Sequence, residues 1–373
     1  MSIKILSVFG TRPEAIKMAP LVKQLEKEEG IESVVCVTAQ HREMLDQVLK
    51  VFDIKPDYDM DIMKAGQSLS QVTNRVLEGM GTILEKERPD MLLVHGDTTT
   101  TFSGALSAFY HGVKVGHVEA GLRSDDKFSP YPEEMNRLLT TRLADLYFCP
   151  TEINAQNLRN EKLEEHKIYI TGNTALDALK SVIDKDYKFG NELDDIDFEN
   201  KKIVVVTAHR SENIGEPMRN IFSAIKQLTE ENEDVEAIYP IHLNPKVREI
   251  ANEIFEGAER VHLIEPLDYE SFANLMARSY LVMTDSGGLQ EEAPSLGTPV
   301  LVLRKETERP EAIEAGTAKL AGIERERVYQ LATELVRDKD KYAQMANAVN
   351  PYGIGDSSER IIQVIRDYFG DKK

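Results

Sequence analysis

The stretch Thr284-Asp285-Ser286-Gly287-Gly288-Leu289-Gln290-Glu291-Glu292 holds the residue types that bind an anion. An apolar run, Tyr280 to Met283, precedes it, and Ala293 to Leu296 reads as a short helical stretch closed by Gly297. A strand that turns through Ser-Gly-Gly into a helix presents free backbone N–H groups backed by the helix dipole. Glycine lets an anion approach closely, and Ser286 adds a hydroxyl. Phosphate alone has no use for Glu291 and Glu292, so these carboxylates are expected to hold a hydroxylated group such as ribose. Arg12, Lys17, His209, Arg210 and Arg309 are the basic residues suited to a diphosphate, Arg through its planar fork. Asp97 and Glu119 each follow an apolar run. Partial desolvation there is expected to raise their pKa and fit them for acid–base work beside a phosphate leaving group. Asp97 also suits a helix cap ahead of its threonines. Glu133, behind Pro132, also suits the start of a helix dipole.

The elements that must carry these residues alternate. Strands are expected at 3–9, 33–38, 91–95, 113–118, 146–149 and 168–170, with helices between them. Such alternation means a parallel sheet covered on both faces. Arg12, Asp97 and Glu119 lie just past carboxyl ends of strands, where open parallel sheets bind ligands. An acidic, aperiodic stretch from Asp184 to Asn200 reads as an exposed connection. The pattern then restarts at Lys201 to Arg210, with further strands at 235–239, 261–264, 280–283 and 299–303. The fold class is therefore α/β, with two doubly wound Rossmann-like domains.

A chain of 373 residues is long for one domain. Its net charge of -19 argues against nucleic acid, which needs a basic surface, while leaving room for a small anionic ligand at a local basic cluster. Two cysteines, Cys36 and Cys149, both in apolar runs, make no disulfide framework and fit a reducing cytoplasm. No apolar signal core opens the sequence, and no run approaches the ~20 apolar residues of a membrane span. No G-x-G-x-x-G follows the first strand, and no P-loop or H-E-x-x-H occurs. Tyr110 and Lys114 match a reductase spacing, but Gly112 breaks the helix that spacing requires.

Ten ordered blocks, among them GTRPEAIKMAP (10–20), HGDTTTT (95–101), VEAGLRS (118–124), PYPEEMNR (130–137), TAHRSENIG (207–215) and TDSGGLQEEAPSLGTPVLVLR (284–304), span nearly the whole chain. On these blocks the chain resembles the non-hydrolysing UDP-N-acetylglucosamine 2-epimerases. The resemblance implies a GT-B-like arrangement: domains at 1–171 and 172–354 facing a central cleft, and a helix within 355–373 crossing back to the first. It implies inversion at C2 between UDP-GlcNAc and UDP-ManNAc, by elimination of UDP to 2-acetamidoglucal and re-addition, with no nicotinamide or metal cofactor and a homodimeric state. The implied catalytic set falls on Asp97, Glu119, Glu133 and His209. Which carboxylate takes the first proton stays open.

Implied substrate contacts fall on Arg12, Lys17, Phe272, Ser286, Gly287, Gly288, Glu292 and Arg309. Leu267 stands where some relatives carry Gln, so a contact there is apolar or through backbone. Several bacterial members bind a second UDP-GlcNAc as activator, at positions matching Gln40, Glu134, Arg210 and His242. Glu43 and Gly66 depart from that pattern, and weak or absent activation is expected. The alternatives are a hydrolysing 2-epimerase that releases UDP and ManNAc, a GT-B glycosyltransferase with a UDP-sugar donor, and a non-catalytic UDP-sugar sensor.

Overall fold

A computed structural model describes residues 2–39, 42–64, 66–190 and 192–370. The chain divides into two compact units, Met1–Ser181 with Tyr352–Lys373, and Val182–Pro351. The joins lie at 181/182 and 351/352, where the sequence suggested 171/172 and 354/355. The reason is local. The helix Thr174–Val182 is tied to the C-terminal helix Ser357–Gly370 through Asp177, whose carboxylate accepts the N–H groups of Ser357 (3.2 Å) and Ser358 (2.8 Å).

The first unit is built on strands β1 (Ile3–Phe9), β2 (Ile31–Val37), β3 (Tyr58–Asp59), β4 (Met91–His95), β5 (Lys114–Val118), β6 (Leu146–Cys149) and β7 (Ile168–Ile170). They form one parallel sheet in the order β3-β2-β1-β4-β5-β6-β7. Apolar residues face both sides of it: Leu6, Val8, Leu92 and Val94 pack with Val76 and Met80 of the helix Leu69–Glu87, and the alternate residues Ile5, Phe9 and Leu93 are buried too. Cys36 and Cys149 are buried within it, and burial pushes both thiols up to about 12, which leaves them unreactive packing groups. The C-terminal helix buries Ile361, Ile362 and Ile365 and packs against the helix Arg12–Leu25. Pro20 sits inside that second helix, which continues through it to Leu25.

The second unit carries β8 (Lys202–Thr207), β9 (Val235–Pro240), β10 (Val261–Ile264), β11 (Leu281–Thr284), β12 (Val300–Val302) and β13 (Ala318–Leu320). All pairings are parallel, in the order β10-β9-β8-β11-β12-β13. Phe222, Tyr239, Met283, Leu301 and Leu335 lie in its core. Both sheets reverse direction once, between β1 and β4 in the first and between β8 and β11 in the second. At such a switch point the neighbouring loops diverge to opposite faces and leave a crevice at the carboxyl edge. No helix among the described residues is long and apolar enough to cross a membrane.

Candidate active site

The first switch point is formed by the loops after β1 and β4. After β1, Thr11 caps the helix Arg12–Leu25 in a reciprocal capping box with Glu14. Glu14 is buried, and its Oε2 accepts the N–H groups of Gly10 (3.0 Å) and Thr11 (2.8 Å). Its Oε1 accepts the hydroxyls of Thr98 (2.7 Å) and Thr101 (3.2 Å) in the loop and helix after β4. One carboxylate thus fastens the two loops together. Gly10 must be glycine for the same close approach, since a Cβ there would lie 2.0 Å from Thr38 Oγ1. Arg12 is exposed, and its guanidinium makes no hydrogen bond or ion pair among the described residues.

Asp97 is not the helix cap. Thr98 caps the helix Thr99–Tyr110 by accepting from Thr101 N–H, which leaves the Asp97 carboxylate to an ion pair with Arg137. Arg137 sits on the helix Glu133–Leu143 and also donates to buried Glu134 (2.9 Å), while Asn136 donates to the Asp97 carbonyl (2.9 Å). Glu133 opens that helix half-buried, and its carboxylate makes no hydrogen bond or ion pair among the described residues.

Glu119 follows β5 in the left-handed region, at φ 61°, a conformation costing a non-glycine residue about 1–2 kcal/mol. Strain of this kind is held by its surroundings. Lys17 forms an ion pair with Glu119, and His95 Nε2 lies 3.4 Å from the same carboxylate oxygen. The expectation of a raised pKa is overturned here. Burial does push the group up, but the charges of Lys17 and His95 outweigh it and hold Glu119 well below the usual carboxylate range. Lys17, suited by type to a diphosphate, therefore answers first to Glu119. His117, fully buried, is brought down to about 4 chiefly by burial and bonds the Gly96 carbonyl through Nε2 (2.7 Å).

The second switch point joins the loops after β8 and β11. Asp285, wholly buried, accepts from the backbone N–H groups of His209 and Arg210, both at 2.8 Å, and from Asn213 Nδ2 at 3.3 Å. Thr207 and Thr284 bond hydroxyl to hydroxyl across the two strand ends (2.6 Å). The chain then turns through Ser286, Gly287 and Gly288 into Leu289–Glu292 and a 3₁₀ turn, Ala293–Leu296. A Cβ on Gly287 would meet only Arg309 Cζ and Nη2, each at 3.8 Å, so the arginine fork lies against the turn.

The ribose expectation for Glu291 is corrected too. Glu291 is buried and ion-paired with Arg309 Nε, so it holds the arginine rather than facing a ligand. Glu292 stays half-buried, with Oε1 3.4 Å from a Cβ on Gly288. His209 and His242 stack at 5.5 Å between ring centroids and 18° between planes. Burial is the largest influence on the His209 pKa, and with His242 and Arg210 it outweighs Asp285 and lowers it. Leu267 precedes, and Phe272 lies in the first turn of, the helix Tyr269–Ala277, which Asp268 caps and which packs against Ala293–Leu296. Gln40 lies outside the described residues.

The structure thus gathers Arg12, Lys17, Asp97, Glu119, Glu133 and Glu134 in the first unit. It gathers His209, Arg210, His242, Ser286, Gly287, Gly288, Glu292 and Arg309 in the second. Sequence reasoning missed Glu14, His95, Arg137 and Asp285 as the groups that hold the others. For Glu14 the T-x-x-E capping spacing was a usable signal; the other three have none. Among the described residues no cluster of His, Cys, Asp or Glu is arranged to hold a metal ion.

The family model for UDP-N-acetylglucosamine 2-epimerase matches residues 23–366. The UDP-N-acetylglucosamine 2-epimerase of Bacillus subtilis (strain 168) is 53% identical over 371 residues, covering 100% of this chain and 97% of the relative. The crystal structure of UDP-GlcNAc 2-epimerase from Neisseria meningitidis bound to UDP-GlcNAc is 47% identical, with a TM-score of 0.86 over 98% of this chain and 100% of that one. The Methanocaldococcus jannaschii enzyme in complex with UDP-GlcNAc and UDP is 34% identical, with a TM-score of 0.75 and the same coverage of both chains. Two parallel α/β sheets, each with its charged residues at the switch point, and matches along the whole chain have one reading: this protein belongs to the UDP-N-acetylglucosamine 2-epimerase family.

Proposed function

We propose that this chain interconverts UDP-GlcNAc and UDP-ManNAc without hydrolysis, by eliminating UDP to 2-acetamidoglucal and adding it back. The observation that carries the reading is the division of chemistry between the two switch points. Asp97 and Glu119 lie at or beside the first, with Glu133 opening the helix whose Asn136 and Arg137 hold Asp97, and an anion-binding turn backed by Arg309 and His209 lies at the second. The relatives solved with UDP-GlcNAc support a nucleotide sugar as the ligand.

A C2 proton is weakly acidic, so cleavage of the C1–O bond leads or accompanies its loss. The electron pair of that bond leaves with UDP, and Ser286, the Gly287 and Gly288 N–H groups, Arg309 and His209 stabilise the departing diphosphate. The C2–H electrons then form the C1=C2 bond as a carboxylate takes the proton. In the return step a diphosphate oxygen bonds to C1, and a second carboxylate delivers a proton to the opposite face of C2. Glu119 is kept ionised by Lys17 and His95 against the push of burial, so it enters the reaction as a carboxylate. The two proton transfers run through the set Asp97, Glu119 and Glu133. Glu134, Arg210 and His242, with Gln40, remain the proposed contacts of a second nucleotide sugar, and a homodimer working in the cytoplasm without a cofactor completes the reading.

Incubation with UDP-GlcNAc alone in deuterated water, followed by proton NMR, tests this. Deuterium at C2 and a UDP-ManNAc signal are expected, and Asp97→Asn should abolish both. Free ManNAc as the main product would establish the hydrolysing reaction instead, and absence of exchange would end the epimerase reading.

A further inference from the structure

Asp285 is a carboxylate wholly removed from solvent at the end of β11, a costly place for a charge unless every lone pair is answered. Its Oδ2 is answered three times, by the backbone N–H groups of His209 and Arg210 and by the amide of Asn213. Its Oδ1 has no hydrogen-bond partner, and the His209 ring stands beside it with Nδ1 at 3.2 Å, close enough to donate but not aligned to do so. We propose that Asp285 is a positioning residue that holds His209 as its Nδ1–H tautomer, so that Nε2 is the nitrogen offered to the diphosphate. This rests on the reading that places His209 at the diphosphate.

The chemistry of the pair leaves one choice. A bare Nδ1 would set a ring lone pair against a buried carboxylate lone pair, whereas an Nδ1–H answers the oxygen once a small rotation of the ring brings it into line. The same carboxylate grips the His209 backbone N–H, so one residue holds both the main chain and the ring. The stacked His242 has the opposite arrangement: its Nδ1 accepts the Asn244 N–H at 3.1 Å, which places the proton of its neutral ring on Nε2.

The charged and titratable groups facing His209 are Asp285, Arg210 and His242. Burial, with His242 and Arg210, outweighs Asp285, so the free imidazole is neutral near neutral pH, and in the Nδ1–H tautomer its lone pair is on Nε2. A diphosphate adds negative charge at that nitrogen. Nε2 then takes a proton from solvent, becomes a donor to the leaving group, and returns the proton when the diphosphate departs. Asp285 stabilises the imidazolium so formed.

The test is nitrogen-15 NMR of the protein labelled at histidine, with the His209 signals identified by their loss in His209→Gln. Long-range proton–nitrogen correlations report the tautomer directly. Wild type is expected to show Nδ1–H at His209 and Nε2–H at His242. Asp285→Asn is expected to reverse His209 alone. The two backbone N–H groups still require an oxygen at the Oδ2 position, so the amide NH₂ falls at Oδ1 and donates to Nδ1.

An Nε2–H signal for His209 in the wild type overturns the proposal without any variant, so a poorly folding Asp285→Asn does not protect it. A well-dispersed Asp285→Asn spectrum with His209 unchanged overturns it as well. UDP added to the wild type should shift the His209 Nε2 signal. An Nδ1–H tautomer indifferent to UDP would refute the diphosphate reading of His209 while the pairing with Asp285 stands.

Discussion

Glu14→Ala removes the group that fastens the loop after β1 to the loop after β4. Four hydrogen bonds end on its carboxylate, at 3.0, 2.8, 2.7 and 3.2 Å. Hydrogen bonds to a charged group contribute about 1.5–3 kcal/mol each, and an orphaned buried donor costs about 1–3 kcal/mol. The four losses are unequal. The Thr101 hydroxyl keeps the His95 carbonyl at 2.5 Å, and Thr98 and Thr101 keep each other at 3.1 Å. The Gly10 N–H, buried under Thr38 and Thr100, has no such substitute. The net cost is about 3–5 kcal/mol, dominated by the two backbone donors.

Glu14→Gln provides the contrast. Its amide oxygen can keep both N–H groups while its NH₂ meets two hydroxyls that rotate to accept, for a cost of about 1 kcal/mol. In a domain of this size 1 kcal/mol corresponds to roughly 2–4 °C in Tm. Scanning calorimetry should therefore place Glu14→Ala about 6–20 °C below wild type and Glu14→Gln about 2–4 °C below. An alanine variant within about 2 °C of wild type, or a glutamine variant falling as far as the alanine one, would refute the fastening role.

Two further outcomes follow from the same geometry. Lys17→Met leaves burial of Glu119 opposed by His95 alone, so the carboxyl pKa rises. A depressed folded pKa contributes stability that is complete above the unfolded value of ~4.3 and lost as pH falls from there through the folded value, so in Lys17→Met the loss starts at the same pH but is smaller and complete at a higher pH. Urea midpoints measured from about pH 3 to 7 check it, and curves of identical shape for both proteins contradict it. Gly287→Ala adds a methyl that makes only ordinary contact with Arg309 at 3.8 Å, so Tm should hold within about 2 °C. The methyl occupies the surface an anion must approach, and titration calorimetry should show UDP binding weakened about 10–100-fold, or roughly 1.4–2.8 kcal/mol. Unchanged affinity would remove Gly287 from the site.

Much of this protein is legible along the chain. Apolar runs followed by helical periodicity establish two parallel α/β sheets, and the residues at strand ends mark where chemistry can occur. The ordered blocks, GTRPEAIKMAP and TDSGGLQEEAPSLGTPVLVLR among them, carry the family. The short edge strands β3 and β13 escape such a reading. Tyr58–Asp59 and Ala318-Lys319-Leu320 are too brief to show a period, and only pairing with Cys36–Val37 and Val300–Val302 makes them strands.

Strand order is likewise a tertiary outcome. A buried run such as Met91–His95 shows that it needs neighbours on both sides without showing that β1 is one of them. That adjacency brings Glu14 to Thr98, and the pairing of β8 with β11 likewise sets Asp285, just after β11, beside His209, just after β8. It also decides the charge states. Glu119 at a strand end promised a raised pKa from burial alone. Lys17, 102 residues away in sequence, reverses the sign, and so does His95 from the neighbouring strand. Local sequence determines which groups are present and how each segment folds. Coulomb energy depends on distance through space, so the partner of each charge, and with it the proton each group holds, is decided only when the sheet closes.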